Sequence, residues 1–354
     1  MKITSVAFFR LDMPLAIPYQ IAYETVSSTS NIILKLTTSS GLTGWGCAAP
    51  DPEVTGETPE MVLANLDNVV TGLLKGRSPF QIARLVFDLK KLCPNASSTL
   101  AMVDMALHDL LARKAELPLY QLLGGFRKEI PTSITIGILS TKETLEQAGY
   151  YLKKGFGIIK LKGGLNMEED VEKVRKLRER FGMDFKLRFD ANQGYSPEEA
   201  VQFIRNSKMG NIEIFEQPTK QKKEAHLGTV TQNTDVPVMA DESIKTLKDA
   251  FRLASNDLID MVNIKLMKVG GILESQHINS VAKAAGMEVM VGCIDECALG
   301  ISAGLHFALS RPNIEFADLD GHLDLLEDPF TDLFHIRKGI LYPTQSYGLG
   351  SIHL

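Results

Sequence analysis

The sequence predicts an α/β protein: a parallel β/α barrel preceded by a smaller α+β domain. Three observations point there. From Pro131 onward, short apolar runs alternate with amphipathic helical patterns, the signature of parallel β/α units. The strand-like runs recur at a spacing of roughly 26 residues, which fits a closed barrel better than an open sheet. Nearly every run ends in a charged residue, as expected where the C-terminal ends of barrel strands form the working face. A doubly wound sheet is the competing fold, but no glycine-rich phosphate turn follows the first strand.

In chain order, ITSVAFFRLDM and NIILKLTTSSGLTGWG read as strands, with Ser39, Ser40 and Gly41 marking a hairpin. ETPEMVLANLDNVVTGLL follows a Gly-Glu-Thr-Pro start signal, and LAMVDMALHDLLARKA carries apolar residues at helical spacing, so both read as helices. Trp45 is expected to pack at an interface of this domain, which runs over 1–125. The barrel strands are read as TSITIGI, GIIKLKG, FKLRFDA, NIEIFEQ, VPVMADE, LIDMVNIKL, GMEVMVG and NIEFADLD, placing the barrel at 126–322 and a closing segment at 323–354.

With 354 residues, 44% hydrophobic content and a formal net charge of -5, the chain has no basic excess to hold nucleic acid or an anionic membrane. Arg10 and Asp12 interrupt the N-terminal apolar run before it reaches signal length, and no stretch approaches a membrane span. Cys47, Cys93, Cys293 and Cys297 are too scattered for a disulfide framework or a zinc site and read as reduced, packed thiols. A cytoplasmic location follows as the expectation. His108, His277, His306 and His322 are isolated and read as packing or capping residues.

The strand ends carry Lys160 and Lys162, Asp190 and Asn192, Glu216, Asp241, Lys265, Glu296, and Asp318 with Asp320. A lone acid there would cap a helix or pair with a neighbouring cation. Asp190, Glu216 and Asp241 close three successive strands, and such a set would repel unless a cation sat among them; all-oxygen ligands suit Mg²⁺. Lys162 ends the second strand and Lys265 the sixth, so they face each other across a barrel of eight. Lys160, two residues from Lys162 on the same strand face, and a nearby divalent cation are expected to lower the pKa of Lys162. Two amines flanking a cation-bound carboxylate suit removal of a proton from the adjacent carbon.

The motifs KLK (Lys160–Lys162), FDANQG, FEQP, ADES and NIKLMKVGG together resemble the enolase superfamily, in the subgroup of muconate lactonizing enzymes and dipeptide epimerases, over almost the whole chain. Sites of that superfamily pair a lysine or histidine base with Mg²⁺. The resemblance implies a modified barrel of seven β/α units plus a final strand, covered by an α+β capping domain built from the N-terminal part and the C-terminal tail. It implies Asp190, Glu216 and Asp241 as Mg²⁺ ligands and Lys162 and Lys265 as acid and base. Glu296 matches a glutamate near the reacting centre, with Asn192 and Lys268 in support. A homo-oligomer is the family's usual state.

FADLD resembles the Asp-x-Asp motif with which dipeptide epimerases hold a substrate α-ammonium, and paired carboxylates at Asp318 and Asp320 suit that group. TGETPE and VGCIDE also resemble that branch. The expected reaction is inversion at the α-carbon of the C-terminal residue of a dipeptide, by proton transfer between two bases through an enediolate. Epimerases acting on L-Ala-Glu carry an arginine in the stretch that here reads YQIAYET, with Glu24. Glu24, with Asp51, Glu53 and Asp295, therefore points to a substrate with a basic residue, lysine or arginine, in second place, unless these acids face water. The alternatives are an L-Ala-D/L-Glu epimerase, an o-succinylbenzoate synthase or an N-acylamino acid racemase.

Overall fold

The computed structural model of the chain describes residues 1–20 and 25–354. Three antiparallel strands open it: β1 (Ile3–Gln20), β2 (Thr25–Thr38) and β3 (Thr43–Ala48), with β2 in the middle. Alternation along β2 serves two cores at once. Ile32, Leu34 and Leu36 pack with Val62, Leu66 and Leu85 of the capping helices, while Ile33 joins Met13, Trp45 and Cys47 in the cluster that continues into the barrel.

The helix Ser97–Lys114 is the joint between the two parts. It is buried along nearly its whole length, as its all-round apolar sequence requires. It packs so closely on β3 that a Cβ at Gly46 would lie 2.0 Å from the Met102 carbonyl oxygen, which explains the glycine there. Buried Glu57 caps its start, accepting from Ser98 N and Ser98 Oγ, both at 2.6 Å, and from Thr99 Oγ1 at 2.6 Å. Asp104 reaches out of the same helix and caps the barrel helix Ile272–Ala284, accepting from Ile272 N at 2.5 Å.

The sequence-read helix over 57–74 is segmented. Glu57 stands outside it, because its carboxylate is committed to the other helix, and Thr58 takes the N-cap. A π-helical turn at Leu66–Val70 then separates Pro59–Asn65 from Thr71–Leu74. The helix Ile82–Leu92 is an element the sequence reading passed over.

After the short strand β4 (Ile130–Pro131) come eight parallel strands: β5 (Ile134–Ile136), β6 (Ile158–Lys162), β7 (Lys186–Asp190), β8 (Ile212–Glu216), β9 (Val238–Ala240), β10 (Met261–Lys265), β11 (Glu288–Gly292) and β12 (Ile314–Asp318). They pair strictly in sequence order, with helices between them as far as β12. The ring closes through Ser133 N, which donates to Ala317 O at 3.1 Å. Period-two alternation sends Ile214, Met239, Met261 and Met290 inward with Phe316 as an apolar floor, and puts Glu216, Asp241 and Asp318, each two positions after a floor residue, at the mouth.

β13 (Phe334–Arg337) and β14 (Ile340–Pro343) form a hairpin against β4. The chain around it also returns to the capping sheet and to the helix Ser97–Lys114: Ala16 N donates to Asp324 O at 2.7 Å, and Leu349 N donates to Asp109 Oδ1 at 2.8 Å. No helix of the described residues is long and apolar enough to cross a membrane. All four cysteines are free and buried.

His306 and His322 are both buried, and His306 Nδ1 accepts from Tyr120 N at 3.0 Å. Burial pushes His306 down to about 3 and His322 to about 4. The unfolded chain protonates such a group near pH ~6.5. The fold excludes that proton, so stability is full above that value and falls as pH drops toward the depressed one. At pH 5 each such histidine should cost roughly 2 kcal/mol relative to pH 7. Denaturant titrations of His306→Gln at the two pH values should show a smaller acid loss than the parent chain by about that amount.

Candidate active site

The mouth of the barrel is an ionic lattice built from inward-facing strand ends. Lys160 on β6 places its ammonium 2.8 Å from Glu216 Oε2, 2.9 Å from Asp318 Oδ2 and 3.1 Å from Asp190 Oδ2, linking β6 to β7, β8 and β12. Lys265 at the end of β10 lies 2.8 Å from Asp241 Oδ2, and Lys268 lies 2.5 Å from Asp241 Oδ1. Lys162 ends β6, four strands from Lys265 and so on the opposite wall. Its ammonium has no hydrogen bond or ion pair to a described residue.

Burial and ion pairing compete in the electrostatics of these groups. Burial pushes Glu216 up to about 8, against the pull of Lys160 and with help from the charges of Asp190 and Asp241. Burial would also raise Asp241, but Lys265 and Lys268 outweigh it and hold that carboxyl below its usual range. Asp318 settles at about 2, because Lys160 and the Ser133 hydroxyl overcome its burial, whereas burial and the neighbouring Asp318 charge push Asp320 to about 7. For Lys265 the carboxylates of Asp241 and Glu216 outweigh desolvation and raise the ammonium above its ordinary value.

The metal expectation is met in composition and modified in arrangement. Among the described residues, no group of three or more acidic, histidine or cysteine side chains is spaced to hold a metal ion; Asp190 and Glu216 meet Asp318 around the Lys160 ammonium, and Asp241 pairs with Lys265 and Lys268. Yet the donor set fits a divalent cation. The carboxyl groups of Asp190, Glu216, Asp241, Glu242, Glu296, Asp318 and Asp320 outnumber the ammonium groups of Lys160, Lys162, Lys265 and Lys268. Glu242 Oε2 and Glu296 Oε2 are buried without a hydrogen-bond partner among the described residues. A hard oxygen-seeking cation answers such an excess.

The remaining predicted residues fall as follows. Asn192 sits at the mouth, its backbone N–H donating to Asp190 Oδ1 at 2.9 Å. Asp320 Oδ2 accepts from Thr135 N at 2.6 Å. Burial pushes Glu296 up to about 8, and its Oε1 accepts from Ile294 N at 3.3 Å. Asp51 Oδ1 is occupied inside its own loop, accepting from Glu53 N at 2.8 Å and Val54 N at 3.0 Å. The backbone oxygen of Asp295 accepts from Thr29 Oγ1 and Asn31 Nδ2, both at 3.2 Å, so the capping strand β2 holds the loop that follows β11. Glu24 lies outside the described residues.

Sequence reasoning gave no role to Gln217, Asn263, Glu242 or Asn31. Gln217 Oε1 accepts from Asp241 N at 2.9 Å and its Nε2 donates to Ser243 Oγ at 2.9 Å, so it fixes the Asp241 backbone. Asn263 Nδ2 donates to Glu216 Oε1 at 2.7 Å. The signal available was position: Gln217 and Glu242 stand beside predicted ligands, and Asn263 precedes Lys265 on the same strand face.

The glycines of KLKGG and FDANQG are geometric requirements. Gly164 has φ +101, and a Cβ on it would lie 2.0 Å from Ala191 O. A Cβ on Gly194 would lie 2.1 Å from Gly164 O, so the two turns touch backbone to backbone. Gly164→Ala combines unfavourable φ with a clash and should lower stability by about 3 kcal/mol, measured by denaturant titration.

Family models match this architecture across most of the chain. Residues 3–124 match the mandelate racemase / muconate lactonizing enzyme N-terminal domain, and residues 143–351 match the enolase C-terminal domain-like family. The chain belongs to the enolase superfamily. Among its relatives, an L-Lys-D/L-Arg epimerase of Desulforapulum autotrophicum is 39% identical over 99% of both chains. The substrate-liganded L-Ala-D/L-Glu epimerase of Bacillus subtilis superposes with a TM-score of 0.96 at 38% identity, covering 99% of this chain and 98% of the other. A dipeptide epimerase of Methylococcus capsulatus, complexed with Mg and L-Arg-D-Lys, gives 0.95 at 36% identity over 100% of both chains. These enolase-superfamily relatives are named isomerases acting on amino acid derivatives.

Proposed function

We propose that this chain is a Mg²⁺-dependent dipeptide epimerase that inverts the α-carbon of the C-terminal residue. The observation that carries the reading is the pair Lys162 and Lys265, on opposite walls of the barrel with the acidic set between them. One amine takes the α-proton on its face of the carbon, and the other amine returns a proton on the opposite face. Asp190, Glu216 and Asp241 would hold Mg²⁺, which when bound offsets the negative charge that grows on the substrate carboxylate as the α-proton leaves.

The substrate ammonium is assigned to the Asp318 and Asp320 pair. Asp318 is engaged by Lys160 and Ser133, whereas Asp320 Oδ1 meets, among the described residues, the Cys293 thiol alone at 3.9 Å, so Asp320 supplies the more available acceptor. We assign the acids Glu24, Asp51 and Asp295 of the sequence to a basic second residue, and the likeness to epimerases whose names specify lysine and arginine supports that reading. The equally similar L-Ala-D/L-Glu epimerases keep glutamate as the second reading. We place the protein in the cytoplasm as a homo-oligomer; its free thiols suit a reducing compartment.

In deuterated water with Mg²⁺, Ala-Lys should both exchange and invert its C-terminal α-hydrogen, followed by NMR and polarimetry. EDTA should abolish the signal and added Mg²⁺ restore it. Lys162→Ala or Lys265→Ala should each slow inversion at least about a hundredfold. A synthase would eliminate water instead, and such a product would end the reading. For specificity, kcat/KM for Ala-Lys should exceed that for Ala-Glu by about tenfold or more; the reverse order would favour the glutamate enzyme.

A further inference from the structure

The two lysines are held in different ways. Lys265 is fixed by its own side chain, through the ion pair with Asp241. Lys162 has no such partner among the described residues, so its aim depends on the backbone turn that follows it. That turn is Gly163-Gly164, and its amides are taken by two groups: Gly163 N donates to Asp190 O at 2.9 Å, and Gly164 N donates to Asp170 Oδ2 at 2.8 Å.

Asp170 lies on the helix Met167–Phe181 and is 2% exposed. The same Oδ2 accepts from the Tyr195 hydroxyl at 2.7 Å, and Oδ1 faces the Lys173 ammonium at 3.5 Å. Tyr195 follows the Asp190 loop, lies parallel to Phe189 with ring centroids 6.4 Å apart, and donates its backbone N–H to Pro218 O at 3.1 Å. One carboxylate therefore ties the turn after Lys162 to the loops after β7 and β8. There is no slack: a Cβ on Gly163 would sit 2.4 Å from Phe189 Cζ and 2.6 Å from Asp170 Oδ2.

We propose that Asp170 and Tyr195 form a clamp that positions Lys162, and that Lys265 acts independently of it. The inference rests on the epimerase reading. In that reaction the Cα–H bond breaks, its proton passes to a lysine Nζ and its electron pair to the substrate carboxylate. A proton then returns to the carbon, and in deuterated water the returned proton is a deuteron drawn from the exchanged amine. A lysine that loses its aim stops serving one face only, so a clamp defect should be stereochemically lopsided.

The test measures deuterium uptake separately from each epimer of the C-terminal residue of Ala-Lys. Lys162→Ala first identifies the epimer whose exchange depends on Lys162. Tyr195→Phe, which keeps the ring and its packing, should slow exchange from that same epimer about tenfold and leave the other within about twofold. Asp170→Asn should lean the same way, and thermal melting of both variants checks the fold. Equal slowing of both epimers, no change in either, or loss of folding in both variants would overturn the clamp. If the parent chain exchanges neither epimer of any dipeptide, the epimerase reading falls and the clamp with it; intact parent exchange with symmetric variants removes the clamp alone.

Discussion

The structure depends on neutralising carboxylates that have been taken out of water. A buried carboxylate left without a partner costs several kcal/mol, so each one at the barrel mouth dictates where a cation must be. Lys160 answers for Glu216, Asp190 and Asp318, and in doing so spans the barrel from β6 to β7, β8 and β12. Lys265 and Lys268 answer for Asp241. The same lattice that holds the mouth together is the one that would receive a divalent cation and a substrate carboxylate. Stability and chemistry therefore draw on one set of charges.

Polar groups rather than apolar contact set the alignment of cap and barrel. Asp104 caps a barrel helix from the cap side, and Asp109 holds Trp45 N, Arg113 and Leu349 N together. Asn31, fully buried on β2, accepts from Cys297 N at 2.7 Å and donates to Asp295 O, gripping the loop that carries Glu296. Hydrophobic burial supplies most of the driving force for docking the two parts, but it is non-directional. These hydrogen bonds fix the register, and with it the distance between the capping loops and the reacting centre.

Much of this was legible in the chain itself. All eight barrel strands stand where the short apolar runs placed them, because a strand buried on both sides must be apolar on both faces. The family followed from motifs whose glycines and acids sit at fixed offsets. The helix read over 57–74 begins two residues later, at Pro59, and carries a π-helical turn, since nothing local announces that Glu57 caps the helix that begins at Ser97. Adjacency of the strands that end in Asp190, Glu216 and Asp241 is visible in sequence, but the reach of Lys160 across the barrel to Asp190, Glu216 and Asp318 is not.

What the sequence by itself determined is the barrel, its working face and the identities of the charged groups there, since these follow from periodicity, which is a local property. What only the tertiary structure decided is which charge answers which: Lys160 with three strands, Lys265 with Asp241, and Lys162 with no side-chain partner among the described residues. Those choices depend on distances between residues far apart in the chain, and Coulomb energy and desolvation act through distance, not through sequence separation.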